Sequence, residues 1–266
     1  MKGGRRAFGY TIVEVMIVLA VSSVMFLIAA TFVSGKQASA AFTEGTNEFA
    51  SQLQTTIAQV INGQYSDVAL QCSSNGTTTT VSIGGNGQGT NNSCIFLGKV
   101  VFLAQGAYGP NYQVLPLAGA RIVGSAPGGI VTPAQEAPAV IAPLISQEVV
   151  PQQLDVSSVQ ETDAGGATHN FVGIAFLEGL GSVDASGNPT GAGQNVSLYY
   201  INGLTPATAG VNSLLANGNN YKPAKTVTIC VNDGKRYAEL TLGSAAGSTN
   251  PQGSSLSVAV KVVTLC

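Results

Sequence analysis

Residues 10–33, YTIVEVMIVLAVSSVMFLIAATFV, form a predominantly apolar run with one charged residue, Glu14. As a helix this run would span about 36 Å at ~1.5 Å per residue, more than the ~30 Å hydrocarbon core of a bilayer. The run therefore reads as a membrane span near the start of the chain. On insertion scales a carboxylate deep in hydrocarbon costs roughly 2.5–3.5 kcal/mol. Glu14 needs a reason to be there.

Two ordinary readings of the run fail to supply one. A secretory signal peptide has an apolar region of ~7–15 residues before a small-residue cleavage site. Ala38-Ser39-Ala40 could serve as that site, but the run is too long and Glu14 sits near its start. No cysteine follows closely, which excludes a lipoprotein signal. A plain bitopic anchor has no use for the carboxylate.

The flanks give an orientation. Lys2, Arg5 and Arg6 precede the run and only Lys36 closely follows it, which puts the N-terminus in the cytoplasm and the remainder outside. All four cysteines, Cys72, Cys94, Cys230 and Cys266, lie beyond the run, where an oxidising compartment favours disulfides. Their spacing contains no CxxC and the chain has one histidine, so they do not make a metal site. Four cysteines allow three pairings. Cys72–Cys94 would close one polar, hairpin-like excursion, and Cys230–Cys266 would tie down a chain end that otherwise frays. These two pairings are the ones expected.

The order of features at the N-terminus is more specific than its hydropathy. A basic leader ends at Gly9, an aromatic residue follows, a glutamate stands at the fifth position after the glycine, and about twenty apolar residues complete the pattern. "AFG" followed by "YTIVEVMIVLAV" resembles the N-terminal signature of type IV prepilins and pseudopilins. The resemblance implies cleavage after Gly9 by a prepilin peptidase, a mature N-terminus at Tyr10 open to methylation, and assembly through the helix into a filament with other pilin subunits. It also implies a role for Glu14: in the family this glutamate is thought to pair with the N-terminal amine of a neighbouring subunit. A buried carboxylate paired with an ammonium is tolerated where a lone one is not.

Past the span the helix is expected to continue. Ala38, Phe42, Phe49, Leu53, Ile57 and Ile61 recur at steps of four and seven, an amphipathic stripe suited to docking the chain's own globular domain. Asn62-Gly63 is a natural stop. Gly35 and Gly45 weaken the middle and invite a kink or local melting. From Ser66 onward strands are expected at 79–83, 95–103, 113–117, 120–123, 170–176, 196–201, 226–231, 237–242 and 256–265. Asn232-Asp233-Gly234 marks a tight hairpin. Residues 126–166, rich in Pro, Ala and Gln, read as a long irregular excursion. No helical pattern alternates with the strands, so the sheet should be mainly antiparallel.

Catalytic chemistry is not visible. "GGNGQG" at 84–89 lacks the GxGxxG spacing and reads as a loop. His169 reads as a solvated strand-end residue, and "DASGN" at 184–188 lacks the acids of a calcium loop. Lys222, Lys225, Lys235 and Arg236 are the only basic cluster past the span, a candidate patch for DNA or an anionic surface, although a solvated sheet edge explains it as well. With 9% charged residues and a net charge of −2, the chain is not a general nucleic-acid binder.

The expectation is thus an α+β chain of type IV pilin-like build: a cleaved leader at 1–9, a membrane and filament-core helix at 10–33, its amphipathic continuation at 34–63, and a β-rich head at 64–266. The expected role is structural, with neither enzyme activity nor cofactor or metal. Partners would be other pilin subunits, the prepilin peptidase, the inner-membrane assembly machinery and, before assembly, the cytoplasmic membrane; the final location would be an extracellular filament. The long mature chain and loop-rich head lean towards a minor or specialised subunit. A secretion-system pseudopilin and a tip module that binds DNA or a surface ligand are the alternatives.

Overall fold

The computed structural model describes residues 11–63, 69–74, 79–84, 94–103, 110–120, 139–162, 168–170, 173–178, 182–183, 189–190, 196–201, 221–224, 226–244 and 256–266. One helix opens the described chain, α1 (Ile12–Ile61), fifty residues without a break. Strands follow: β1 (Leu70–Ser74), β2 (Thr79–Ile83), β3 (Cys94–Phe102), β4 (Asn111–Ala120), β5 (Ala139–Val140), β6 (Ser146–Val149), β7 (Asp155–Thr162) and β8 (Thr168–Asn170). The remainder are β9 (Gly173–Glu178), β10 (Ser182–Val183), β11 (Pro189–Thr190), β12 (Val196–Ile201), β13 (Tyr221–Pro223), β14 (Thr226–Asn232), β15 (Tyr237–Ser244) and β16 (Leu256–Val263). The chain is α+β, with a long N-terminal helix and antiparallel sheets. It divides into two compact units, one up to Glu44 and one from Gly45 to Cys266.

The helix ends where the sequence says it should. Asn62 and Gly63 still donate to Ala58 and Val60 carbonyls, and Gly63 takes φ +63°, the left-handed residue that closes a helix at little steric cost when it is glycine. The helix runs through Gly35 and Gly45 without melting, a single glycine costing only about 1 kcal/mol of helix propensity. The buried stripe is also richer than expected. Phe42, Thr46, Phe49, Ala50, Leu53, Thr56, Ile57 and Val60 are buried, whereas Ala38 is exposed and Ile61 half-buried. Steps of three and four, not four and seven alone, keep a stripe on one face of a 3.6-residue period. The hydroxyl of Thr56 donates to the Gln52 carbonyl, which lets a polar side chain sit in that face.

The larger sheet has seven strands, ordered β13-β12-β9-β3-β4-β5, with β6 also paired to β4. Both of its faces are covered: Val100, Val101, Phe102 and Leu103 are buried in succession, as are residues 114–118. This explains why β3 and β4 read as continuous apolar runs instead of alternating ones. Leu97, Val100, Phe102, Leu115, Leu117, Ala175, Leu177 and Ile201 form one cluster with Val140. A bulge between Phe96 and Gly98 shifts the register of β3 against β4. Gly98 stands there at φ +142°, and a Cβ on it would fall on the Phe176 carbonyl oxygen and lie 2.9 Å from Leu177 Cα. Only glycine fits.

The second sheet has five strands, ordered β16-β15-β14-β7-β8, all antiparallel. The hairpin expected at Asn232-Asp233-Gly234 joins β14 to β15, with Asn232 opposite Tyr237. Asn232 Oδ1 accepts the Gly234 N–H at 3.0 Å, and Asp233 Oδ1 accepts those of Lys235 and Arg236. One expectation is corrected here. The stretch read as an irregular excursion, 126–166, contains β5, β6 and β7 within its described part, and β7 is an inner strand paired on both sides. Among the described side chains of its sequence, DVSSVQET, only Val159 and Glu161 are buried, so its strand character comes from its neighbours and not from its own apolar pattern. The expected strand at 120–123 falls, after Ala120, outside the described residues.

Candidate functional site

Gly9 and Tyr10, the expected processing residues, lie outside the described residues. Glu14 stands in the first turn of α1. It is tied to Thr11 in both directions: the Glu14 N–H donates to Thr11 Oγ1 at 3.3 Å, and its carboxylate accepts the Thr11 N–H at 3.5 Å. This is a capping box, a Thr followed three residues later by a Glu, which satisfies two N–H groups that a helix start leaves without partners. The carboxylate also stands at the positive end of the helix dipole. Glu14 thus has a use within its own chain that the sequence reading overlooked, although the Thr-x-x-Glu spacing was there to be read.

The first part of α1 is built for an apolar medium. Ile12, Val13, Met16, Ile17, Leu19, Phe26, Leu27, Ile28 and Phe32 are all exposed, and the helix is long and apolar enough there to cross a membrane. Two of its hydroxyls are satisfied internally: Ser23 Oγ donates to the Leu19 carbonyl at 2.8 Å, and Thr31 Oγ1 to that of Ile28 at 2.9 Å. Without such bonds each hydroxyl would leave an unmet donor in hydrocarbon. Lys36 closes the run with its ammonium 5.6 Å from the centre of the Phe32 ring.

From Gly45 the same helix is fixed to the seven-stranded sheet. Phe49 meets Tyr112 edge to face, ring centres 5.5 Å apart. The Tyr112 hydroxyl donates to Gln52 Oε1 at 2.9 Å, and about two turns further on Lys99 Nζ donates to Gln59 Oε1 at 2.6 Å. Lys99 on β3 and Tyr112 on β4 therefore each catch a glutamine seven residues apart on one helix face. Burial pulls the Lys99 ammonium below its ordinary range, with the Glu148 carboxylate acting the other way. Burial and then Glu148 push the Tyr112 hydroxyl well above its own. Gly45 allows close approach: a Cβ there would lie 2.9 Å from both Gln152 Cβ and Cγ, and 3.2 Å from Leu154 Cδ1. No short motif announces these partners, because each pair is 40 or more residues apart in sequence.

The cysteines divide as follows. Cys230 and Cys266 are joined, with Cα atoms 6.2 Å apart, which ties the segment after β16 to β14 across β15. Cys72 is also disulfide-bonded, while the side chain of Cys94, its expected partner, lies outside the described ones. The four cations of the candidate basic patch are not gathered on one element. Lys222 is on β13 in the seven-stranded sheet, opposite Tyr200, and Lys225 lies outside the described residues. Lys235 and Arg236 are at the β14–β15 turn in the other sheet, about 20 Å of strand away from Thr226 at ~3.3 Å per residue. Arg236 is engaged with Asp233 at 3.4 Å. His169 stands on β8 in register with Glu161.

Residues 4–30 match the family model described as the prokaryotic N-terminal methylation motif. The chain carries a type IV prepilin-type signal. The matched segment takes in Gly9, Tyr10, the Thr11–Glu14 cap and the apolar part of α1 up to Ala30. No curated protein and no solved structure matches the chain. The prepilin signal thus concerns the processed and assembling end of the molecule, and the head stands on its own geometry.

Proposed function

We propose that this chain is a non-catalytic structural subunit of a type IV pilus or pilus-like filament, minor or specialised, cut after Gly9 and assembled through α1. The observation that carries the reading is the prepilin signal seated on a helix whose first part is exposed and apolar while its last part is bonded to a disulfide-tied β head. In the membrane the apolar part of α1 holds the precursor, with the head on the outer side. In the filament the same surface packs against the helices of neighbouring subunits. Glu14 then has two partners: Thr11 of its own chain and the Tyr10 amine of a neighbour, exposed by the cut.

Intact mass and N-terminal sequencing of the exported protein, together with its recovery in sheared filaments, test the proposal. A start at Tyr10 and recovery in the sheared fraction are expected. A start at Ala41, as ordinary secretion would produce, refutes it.

A further inference from the structure

Between β6, in the seven-stranded sheet, and β7, in the five-stranded one, the chain crosses through a single tight turn, Pro151 to Leu154. The Leu154 N–H donates to the Pro151 carbonyl at 3.2 Å, and the two residues between them, Gln152 and Gln153, are both left-handed, at φ 55° and 56°. They are the only residues other than glycine at positive φ among the described ones. Turns with two left-handed middle residues ordinarily place asparagine, aspartate or glycine there. Glutamine has neither the freedom of glycine nor the short side chain that bonds its own backbone. Both glutamine side chains are exposed, so the strain does not serve to bring an amide inside.

Such strain persists only where the surroundings over-determine it. Two flanking residues, Val150 and Leu154, are buried, and the Val150 N–H donates to the Pro110 carbonyl at 2.7 Å. The third neighbour is α1. Gln152 and Leu154 close on the helix at Gly45, so near that a Cβ there would lie 2.9 Å from Gln152 Cβ and 3.2 Å from Leu154 Cδ1. Gly45 is also the first residue of the unit that contains the sheets. We infer that the Pro151–Leu154 turn is a strained catch for α1, left-handed while the helix is seated at Gly45 and relaxing to a right-handed turn when the helix leaves. Inverting the turn re-aims Gln152 Cβ away from Gly45, so seating the helix and holding the turn are one event. The strain stored in the turn lowers the cost of unseating α1 and is given back as the helix departs. The result is a local opening, easier than unfolding of the sheets. A subunit loaded through α1, as in a filament, yields first at this catch.

The test is hydrogen exchange, read by mass spectrometry, on the full chain in detergent micelles. Gln153→Gly removes the strain of one left-handed residue and leaves the Gln152 atoms at Gly45 untouched. It should slow exchange of the α1 amides at 46–57 roughly threefold to tenfold, the relief being partly offset by the freedom of glycine in the relaxed turn. Gln153→Val places a β-branched residue where left-handed backbone suits it least, and should speed the same amides by roughly tenfold. Amides of β3 and β14 should change in neither variant. If the valine variant loses the Cys230–Cys266 disulfide, the glycine variant alone decides. Changes confined to residues 146–162 would show that the turn inverts without the helix and overturn the catch. Equal changes in α1, β3 and β14 would show that α1 leaves only when the sheets unfold, and overturn it as well, as would no change at all.

Discussion

Replacing Gly45 by alanine should destabilise the protein, against the rule for glycine in a helix. Gly→Ala in an exposed helix interior ordinarily stabilises by about 1 kcal/mol. Here the added methyl would lie 2.9 Å from Gln152 Cβ and Cγ and 3.2 Å from Leu154 Cδ1, inside the ~3.5–4.0 Å optimum for carbon pairs. Gln152 cannot swing clear, because the nearest atom is its Cβ, and that atom is placed by a left-handed backbone at φ 55°, ψ 26°. The flanks of this turn, Val150 and Leu154, are buried and hold it in place. Overpacking of this kind costs about 1–3 kcal/mol. The net effect is a loss of up to about 2 kcal/mol, or several degrees in Tm for a unit of this size. Gln152→Gly removes both clashing atoms and relieves the left-handed strain, leaving only the mobile end of Leu154. In that background Gly45→Ala should become neutral or stabilise by up to about 1 kcal/mol. The assay is denaturant unfolding of the detergent-solubilised chain, followed by tyrosine circular dichroism, for the four members of the cycle. A coupling of about 1–3 kcal/mol is expected. Equal stabilisation by Gly45→Ala in both backgrounds would refute the close approach of α1 to the Pro151–Gln153 turn.

Three further outcomes are expected. Glu14→Gln keeps an acceptor for the Thr11 N–H but loses the charge, so it separates two roles: if pairing with a neighbour's amine governs assembly, Gln should lower filament incorporation as far as Ala does. Incorporation restored by Gln would assign Glu14 to the cap alone. Tyr112→Phe should lose about 1 kcal/mol at neutral pH with the hydrogen bond to Gln52. The Tyr112 hydroxyl, ordinarily near 10.0, is raised in the folded state, so its contribution is fully present below pH 10 and fades as pH climbs through the raised value. The stability gap between wild type and variant should therefore narrow above pH 10, and a gap constant with pH in denaturant titrations would contradict the assignment. Cys266→Ser opens a disulfide of separation 36 and should cost about 4 kcal/mol on the chain-entropy account, read as a lower denaturant midpoint. An unchanged midpoint would show that the end of the chain is held by other means.

What was legible in the sequence is what depends on neighbours along the chain. The apolar run, the leader and Glu14 announce the prepilin signal because processing and insertion act on a linear segment. The Asn62-Gly63 stop, the Asn232-Asp233-Gly234 hairpin and the Cys230–Cys266 tie follow from local turn chemistry and short topological reach. The Thr11–Glu14 cap is equally local, carried by the Thr-x-x-Glu spacing.

Tertiary structure decided the rest. Strand β7 exists because β14 and β8 pair with its two edges, an arrangement that DVSSVQET does not encode by itself. Thr46, Thr56 and Val60 are buried with the helix stripe only in the folded chain, and Gly45 is a packing residue because the Gln152 turn comes back to meet it. Lys99 and Tyr112 fasten α1 through Gln59 and Gln52 across 40 and 60 positions of chain. The alternating strand Leu256–Val262 shows both sides of the division. Its period of two announces an apolar face, but only the sheet order, which leaves β16 at the edge, determines that the far end of this face remains uncovered.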